Sequence, residues 1–296
     1  MNFELTEEQQ DIQDAAGAFL QGELDKDKVL QLEKEHAFPR ELLTKAGKLG
    51  FMGIHFPEAY GGQGYGIMEN ILVVEEFCRN DSGVGIALSL ADFSSELILK
   101  FGSEEQKKKY LPPICRGEMM SAGAYTEPDH GSDITTLGTT AVKDGDDYVI
   151  NGTKTFITNG SMADVVVVLC QTDPKATPGY RGQSTLIVEK GAPGLEALEI
   201  APKMGIHMTS TAELSFNSVR VPANRLLGVE NKGFYQVLNF FDESRIEIAA
   251  QALGIAQGVF DRALSYTTTR EQFGKKISDF QAVSYTHLTL PTKRIV

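Results

Sequence analysis

The chain has 296 residues, of which 42% are hydrophobic, with 28 basic side chains against 40 acidic ones. That apolar content can build a sizeable core and excludes wholesale disorder, and at about 150 residues per domain the length suggests roughly two domains. The net charge of -12 excludes a general nucleic-acid binder, which needs a basic footprint to neutralise phosphates.

The first 118 residues carry helical signals. Thr6-Glu7-Glu8-Gln9 and Ser103-Glu104-Glu105-Gln106 both fit a capping box, in which hydroxyl and carboxamide satisfy orphan amides reciprocally. Met68, Ile71, Leu72, Val74, Glu75 and Cys78 recur at helical spacing. Between these helices lies a glycine-rich loop, Pro57 to Gly64. From about residue 119 to 228 the signals become short strands. Thr139 to Lys143 and Tyr148 to Asn151 flank Asp144-Gly145-Asp146-Asp147 as a hairpin, Val165 to Cys170 and Ser184 to Val188 read as buried strands, and Glu213 to Val221 alternates. Several strands without intervening helices favour an antiparallel sheet or barrel. From about Gly233 a long helix is expected, with Phe234, Val237, Leu238, Phe241, Arg245, Ile248, Ala252, Ile255 and Val259 near one face, and Tyr266 to Gln281 continues that segment. The fold class is therefore α+β: helical, then β, then helical.

Several motif matches fail on context. Gly61 to Gly66 lacks a βαβ setting, so it is no dinucleotide fingerprint. Asp144-Gly145-Asp146 continues with Tyr148 and Val149 where a calcium loop needs Asp or Asn and then Gly. There is no HExxH and no GxSxG. Cys78, Cys115 and Cys170 lack CxxC spacing, which excludes a zinc ribbon and disfavours a secreted disulfide scaffold. No metal site is expected. The segment after Met1 shows neither a basic n-region nor an apolar h-region, and the longest apolar run, Val165 to Cys170, is far below the roughly 20 residues of a membrane span. A cytoplasmic location with no membrane span is the expectation.

Three segments combine specifically. They are Ala124-Tyr125-Thr126-Glu127-Pro128-Asp129-His130-Gly131-Ser132-Asp133, Gly152-Thr153-Lys154-Thr155-Phe156-Ile157-Thr158-Asn159-Gly160, and Arg270-Glu271-Gln272-Phe273-Gly274 with Phe280-Gln281 downstream. Taken singly they read as a capped turn, a strand end and a helix exit. Together, and with Lys203-Met204-Gly205 and Phe216 to Pro222, the sequence resembles the flavin-dependent acyl-CoA dehydrogenases from residue 1 to about Gln281. The resemblance implies an N-terminal helical domain over 1–118, a β domain over 119–228 and a partial C-terminal helical domain over 229–282.

It also implies roles. Tyr125 and Thr126 would contact the pyrimidine edge of the FAD isoalloxazine, with Gly131 in the same flavin-binding segment. Ser132 would face the flavin pyrophosphate or nearby parts of the acyl-CoA. Phe156 would lie against the flavin, where many relatives have Trp, and Thr158 would hydrogen-bond near the reactive nitrogen. Arg270, Gln272, Phe273 and Gln281 would reach the adenine half of FAD bound by a neighbouring subunit of a dimer or tetramer. Asp242 would bind the pantetheine amide and Arg245 the CoA end, although the two, three apart, also suit an intrahelical salt bridge. The implied reaction removes the α-proton of an acyl-CoA thioester with a carboxylate while the β-hydride passes to the flavin, and an electron-transfer flavoprotein then takes the electrons.

No residue is expected to be the base. Most of the family carries it as a Glu after the RxxFG stretch. Some relatives carry it just before the Arg matching Arg245, where this chain has Ser244. Glu243 lies one residue off, about 100° around a helix, which argues against it. Residues 283–296 contain no acidic side chain and resemble nothing in the family, so the expectation is a truncated chain with an unrelated tail. A catalytically incomplete flavin- or CoA-binding fragment and an oxidase-like member are the alternatives.

Overall fold

The computed structural model describes residues 4–289. Seven helices come first: α1 (Glu7–Glu23), α2 (Lys26–Glu35), α3 (Arg40–Lys48), α4 (Ile67–Asn80), α5 (Ser82–Ser89), α6 (Ser95–Phe101) and α7 (Glu104–Cys115). Both expected capping boxes form: Thr6 with Gln9 starts α1 and Ser103 with Gln106 starts α7. The glycine-rich loop is a structural turn. A side chain on Gly62 would meet the Phe56 carbonyl at 2.1 Å, so only glycine lets the chain fold back there.

Strands β1 (Ser121–Ala124), β2 (Thr140–Asp144), β3 (Asp147–Thr158), β4 (Val165–Gln171), β5 (Gln183–Glu189), β6 (Leu195–Glu199) and β7 (Thr211–Pro222) form one sheet. It runs in the order β1-β4-β2-β3-β7-β6, with β5 also on β4. The expected hairpin closes through Gly145-Asp146, with Asp144 opposite Asp147. Most pairs are antiparallel, but β1 and β2 both lie parallel to β4. β4 is buried on both faces, which explains its unbroken apolar run. Val166, Val168 and Cys170 enter the core inside the curled sheet, while Val165, Val167 and Leu169 join a second core with Leu97, Ile98, Tyr110 and Leu111.

Helix α8 (Gly233–Thr269) follows, then the short hairpin β8 (Glu271–Gln272) and β9 (Lys275–Lys276), and α9 (Gln281–Thr289). The helix does not continue from Tyr266 to Gln281 as its sequence suggested. The backbone turns at Phe273 and Gly274, both left-handed at φ 54° and 73°, and the hairpin replaces it. Of the tail from Val283 onward, residues 290–296 lie outside the described residues. The buried face of α8 is Gln236, Val237, Phe240, Ser244, Glu247, Ala250, Gln251, Gly254 and Gly258, with Gln236 bonded to Thr185 and the Leu227 carbonyl, whereas Leu238, Ile248 and Val259 are exposed. No helix among the described residues is long and apolar enough to cross a membrane, and all three cysteines are free and buried.

Candidate flavin and thioester site

The segment after β1 is bound tightly to β3. The Thr155 N–H donates to the Thr126 carbonyl at 2.9 Å, and the Lys154 ammonium, fully buried, donates to the Tyr125 carbonyl at 3.1 Å and to Glu127 Oε1 at 2.8 Å. Glu127 in turn accepts from the Gly138 and Thr139 N–H groups at 2.7 and 3.0 Å. Burial pushes the Glu127 carboxyl up, but Lys154 and these amides outweigh it and hold it below its ordinary range. Burial depresses Lys154, against the pull of Cys170 and Glu127. Glu127 and His130 exchange backbone hydrogen bonds, closing a tight turn over Pro128-Asp129 that leaves Gly131 and Ser132 exposed. Asp133 caps the next turn through the Thr135 N–H at 3.0 Å.

The Tyr125 ring is buried among aromatic neighbours. Its hydroxyl pairs with Ser94 Oγ at 2.7 Å, and its ring meets Phe241 edge-on at 5.6 Å and Phe240 at 6.4 Å. Burial pushes the phenol pKa up. Tyr125 thus links β1 directly to α8.

Phe156 is the conspicuous residue of β3. The register against β7 shifts between Lys154 and Ile157, and in that bulge Phe156 has φ 57° and stands 66% exposed. A bulky residue in the left-handed region is strained, and such strain collects at ligand sites. Beside it, the Thr126 N–H and the Thr126 and Thr158 hydroxyls have no hydrogen-bond partner among the described residues. Next to Thr158, buried Asn159 Oδ1 and Ser210 Oγ are also unpartnered. A flat apolar ring flanked by free donors fits an isoalloxazine, whose aromatic face needs stacking and whose pyrimidine edge accepts hydrogen bonds.

On α8, Arg245 Nη1 sits 3.3 Å from Asp242 Oδ1, so the intrahelical pair forms; both side chains are about two-thirds exposed and remain open to a ligand. Glu243 is engaged by Lys100, which also contacts Asn239. Arg270, Gln272 and Gln281 are exposed, and Phe273 is 93% exposed. Roughly 40 Å of helix separates Phe241, at Tyr125, from Arg270. The structure therefore sets Thr126 beside the strand that carries Phe156 and Thr158 and packs Tyr125 on α8 at Phe240 and Phe241, next to Asp242, while the Arg270 group lies at the far end of that helix.

Two groups of residues escaped the sequence reading. Glu127 and Lys154 stood inside the quoted motifs, yet nothing local marked them as partners across 27 residues. Asp92, Glu96 and Glu247 are buried near one another, with Glu96 3.8 Å from His55, an imidazole with no hydrogen-bond partner among the described residues. No periodicity flags a buried carboxylate; the nearest signal was Glu247 falling one turn after Ser244 on α8.

The chain matches the acyl-CoA dehydrogenase N-terminal domain over residues 6–118, the middle domain over 122–219 and the C-terminal domain over 231–294. It is 41% identical over 286 residues to the short-chain-specific acyl-CoA dehydrogenase of Clostridium acetobutylicum, covering 96% of this chain and 75% of that one. It superimposes with a TM-score of 0.93 and 46% identity on a chain from the structure of the electron transferring flavoprotein of Acidaminococcus fermentans, covering 99% and 77%. A glutaryl-CoA dehydrogenase from Mycobacterium smegmatis, solved with FADH2, gives a TM-score of 0.89 at 33% identity, covering 97% and 72%. The chain belongs to the acyl-CoA dehydrogenase family.

Proposed function

We propose that this chain holds FAD and an acyl-CoA thioester for α,β-dehydrogenation, with Phe156 and the Thr126 donors as the flavin seat. Bound FAD would supply the hydride acceptor; the protein's own residues orient and polarise. The Thr126 amide and hydroxyl would hold the pyrimidine edge, where donors stabilise charge arriving on the ring. Thr158 would donate from the same strand, and Gly131 and Ser132, exposed on the following loop, would meet the pyrophosphate. Asp242 would accept from a pantetheine amide while Arg245 binds phosphate, a task suited to its planar donor fork.

The exposed strained Phe156 is the observation that carries this reading. Arg270, Gln272, Phe273 and Gln281 stand too far along α8 to share that flavin, so they would serve the FAD of a second copy in a homo-oligomer. The relatives' link to electron-transferring flavoproteins supports the same electron partner here. Three free buried cysteines suit a reducing cytoplasm. Three units follow, 1–118, 119–228 and a C-terminal one from 229, whose family match runs past residue 282, where the resemblance was expected to stop, to 294. No base is assigned among the described residues: Glu243 is tied to Lys100.

The test is reconstitution with FAD, followed by visible absorbance and anaerobic titration with butyryl-CoA. The chain should retain flavin, and the flavin band should shift on adding the thioester. Phe156→Ala should weaken FAD by about tenfold, the free energy of roughly one lost aromatic stack. A folded chain that retains no flavin rejects the proposal. Arg245→Ala should leave the melting temperature nearly unchanged, because an exposed pair adds little stability, while weakening the butyryl-CoA titration.

A further inference from the structure

Burying a lysine is costly, and a buried ion pair can often be replaced by apolar residues with no loss of stability. The fully buried Lys154 therefore calls for a role beyond holding the fold. We propose that Glu127 and Lys154 are the positioning residues of the flavin seat, an inference that rests on the FAD reading above. The peptide joining Tyr125 to Thr126 is planar and trans, so its carbonyl and its N–H point in opposite directions. Lys154 grips the carbonyl of that peptide at 3.1 Å, which turns the Thr126 N–H the other way, where no acceptor among the described residues meets it.

Glu127 completes the restraint. It takes the Lys154 ammonium at 2.8 Å and anchors itself on the Gly138 and Thr139 amides, so the lysine cannot swing away from the carbonyl. The next peptide is fixed as well, since the Thr126 carbonyl accepts from Thr155, the residue before Phe156. One buried pair thus sets the donor edge and the stacking ring in register with each other. Around metal ligands, removing such supporting contacts costs about 10- to 100-fold in affinity or activity, and a comparable loss is expected here.

The experiment uses the reconstituted full chain with Lys154→Met and the double change Glu127→Gln with Lys154→Met, reading FAD affinity, the visible flavin spectrum, the flavin reduction potential and the melting temperature. Lys154→Met leaves Glu127 buried on its two amides without a countercharge, so it should lose both stability and flavin. The double change removes both charges and should recover most of the melting temperature. It should still bind FAD at least about tenfold more weakly than wild type, with a lower reduction potential because the Thr126 donors are no longer held. A double variant that regains the melting temperature together with wild-type FAD affinity, spectrum and potential overturns the positioning role. Failure of the wild-type chain itself to take up FAD overturns the underlying flavin reading instead.

Discussion

Gly254→Ala and Gly258→Ala should each destabilise the chain by about 2–3 kcal/mol, although alanine is the better helix former by about 1 kcal/mol. The sign follows from how closely α4 and α8 approach. A methyl on Gly254 would stand 2.1 Å from the Glu75 carbonyl oxygen, and one on Gly258 would stand 2.0 Å from that of Arg79. Both obstacles are backbone, so no rotamer change relieves them, and the helices must separate. Urea denaturation and thermal melting would read the loss. Gly22 is the internal control: nothing lies within 4 Å of a side chain there, so Gly22→Ala should stabilise α1 modestly.

The contact also supports the site. Arg79 pairs with Asp261 at 2.8 Å, and Arg262 donates to the Arg79 and Asn80 carbonyls at the end of α4, a favourable place for a cation. α8 carries Phe240 and Phe241 against Tyr125, and Asp242 and Arg245 one turn away. Displacing α8 should therefore weaken flavin and thioester binding together. An alanine variant at either glycine with unchanged stability would refute the close-packed seam.

How much of this was readable beforehand depended on range. The capping boxes at Thr6 and Ser103 and the Asp144 hairpin are local, each settled within a few residues, and all three appear where expected. The buried run of β4 was equally plain. On α8 the apolar pattern singled out Leu238, Ile248 and Val259, yet these are exposed, while the packed face is lined by Ser244, Glu247, Gln251 and two glycines. Close backbone approach selects small residues, and hydrophobic periodicity does not register them. The helix exit at Arg270 was legible, but the hairpin after it was not, because its cause is two left-handed residues, one of them Phe273. The Glu127–Lys154 restraint joins two of the quoted motifs in space and has no spacing rule.

The largest pH effect should come from the acids buried under α8. Burial raises Asp92 to about 6 and Glu96 to about 8, the latter also through repulsion from Asp92, and burial with both neighbours raises Glu247 well above the ordinary range. A carboxyl raised on folding binds more protons in the native than in the unfolded state, so its contribution falls as pH climbs from its unfolded value through its folded one. His55 works in the opposite sense. Burial lowers it to about 4, against the pull of Glu243 and the neighbouring Asn70, so it favours folding increasingly as pH rises from about 4 to its ordinary 6.5. The two trends offset each other in that lower window. Between about pH 6.5 and 8 the acids act without that opposition, and stability should drop by about 2–4 kcal/mol. Lys100 and Glu243 border the cluster, paired with each other. Glu96→Gln removes the titrating proton while keeping the shape, so it should flatten the decline and make the variant more stable than wild type at pH 8. Glu247→Gln should act the same way, and combining the two should give less than the sum, because Glu96 contributes to raising Glu247. Urea midpoints measured from pH 5 to 9 would decide it: a wild-type chain whose stability rises between pH 6.5 and 8 would mean that these carboxyls are ionised and stabilised in the native fold.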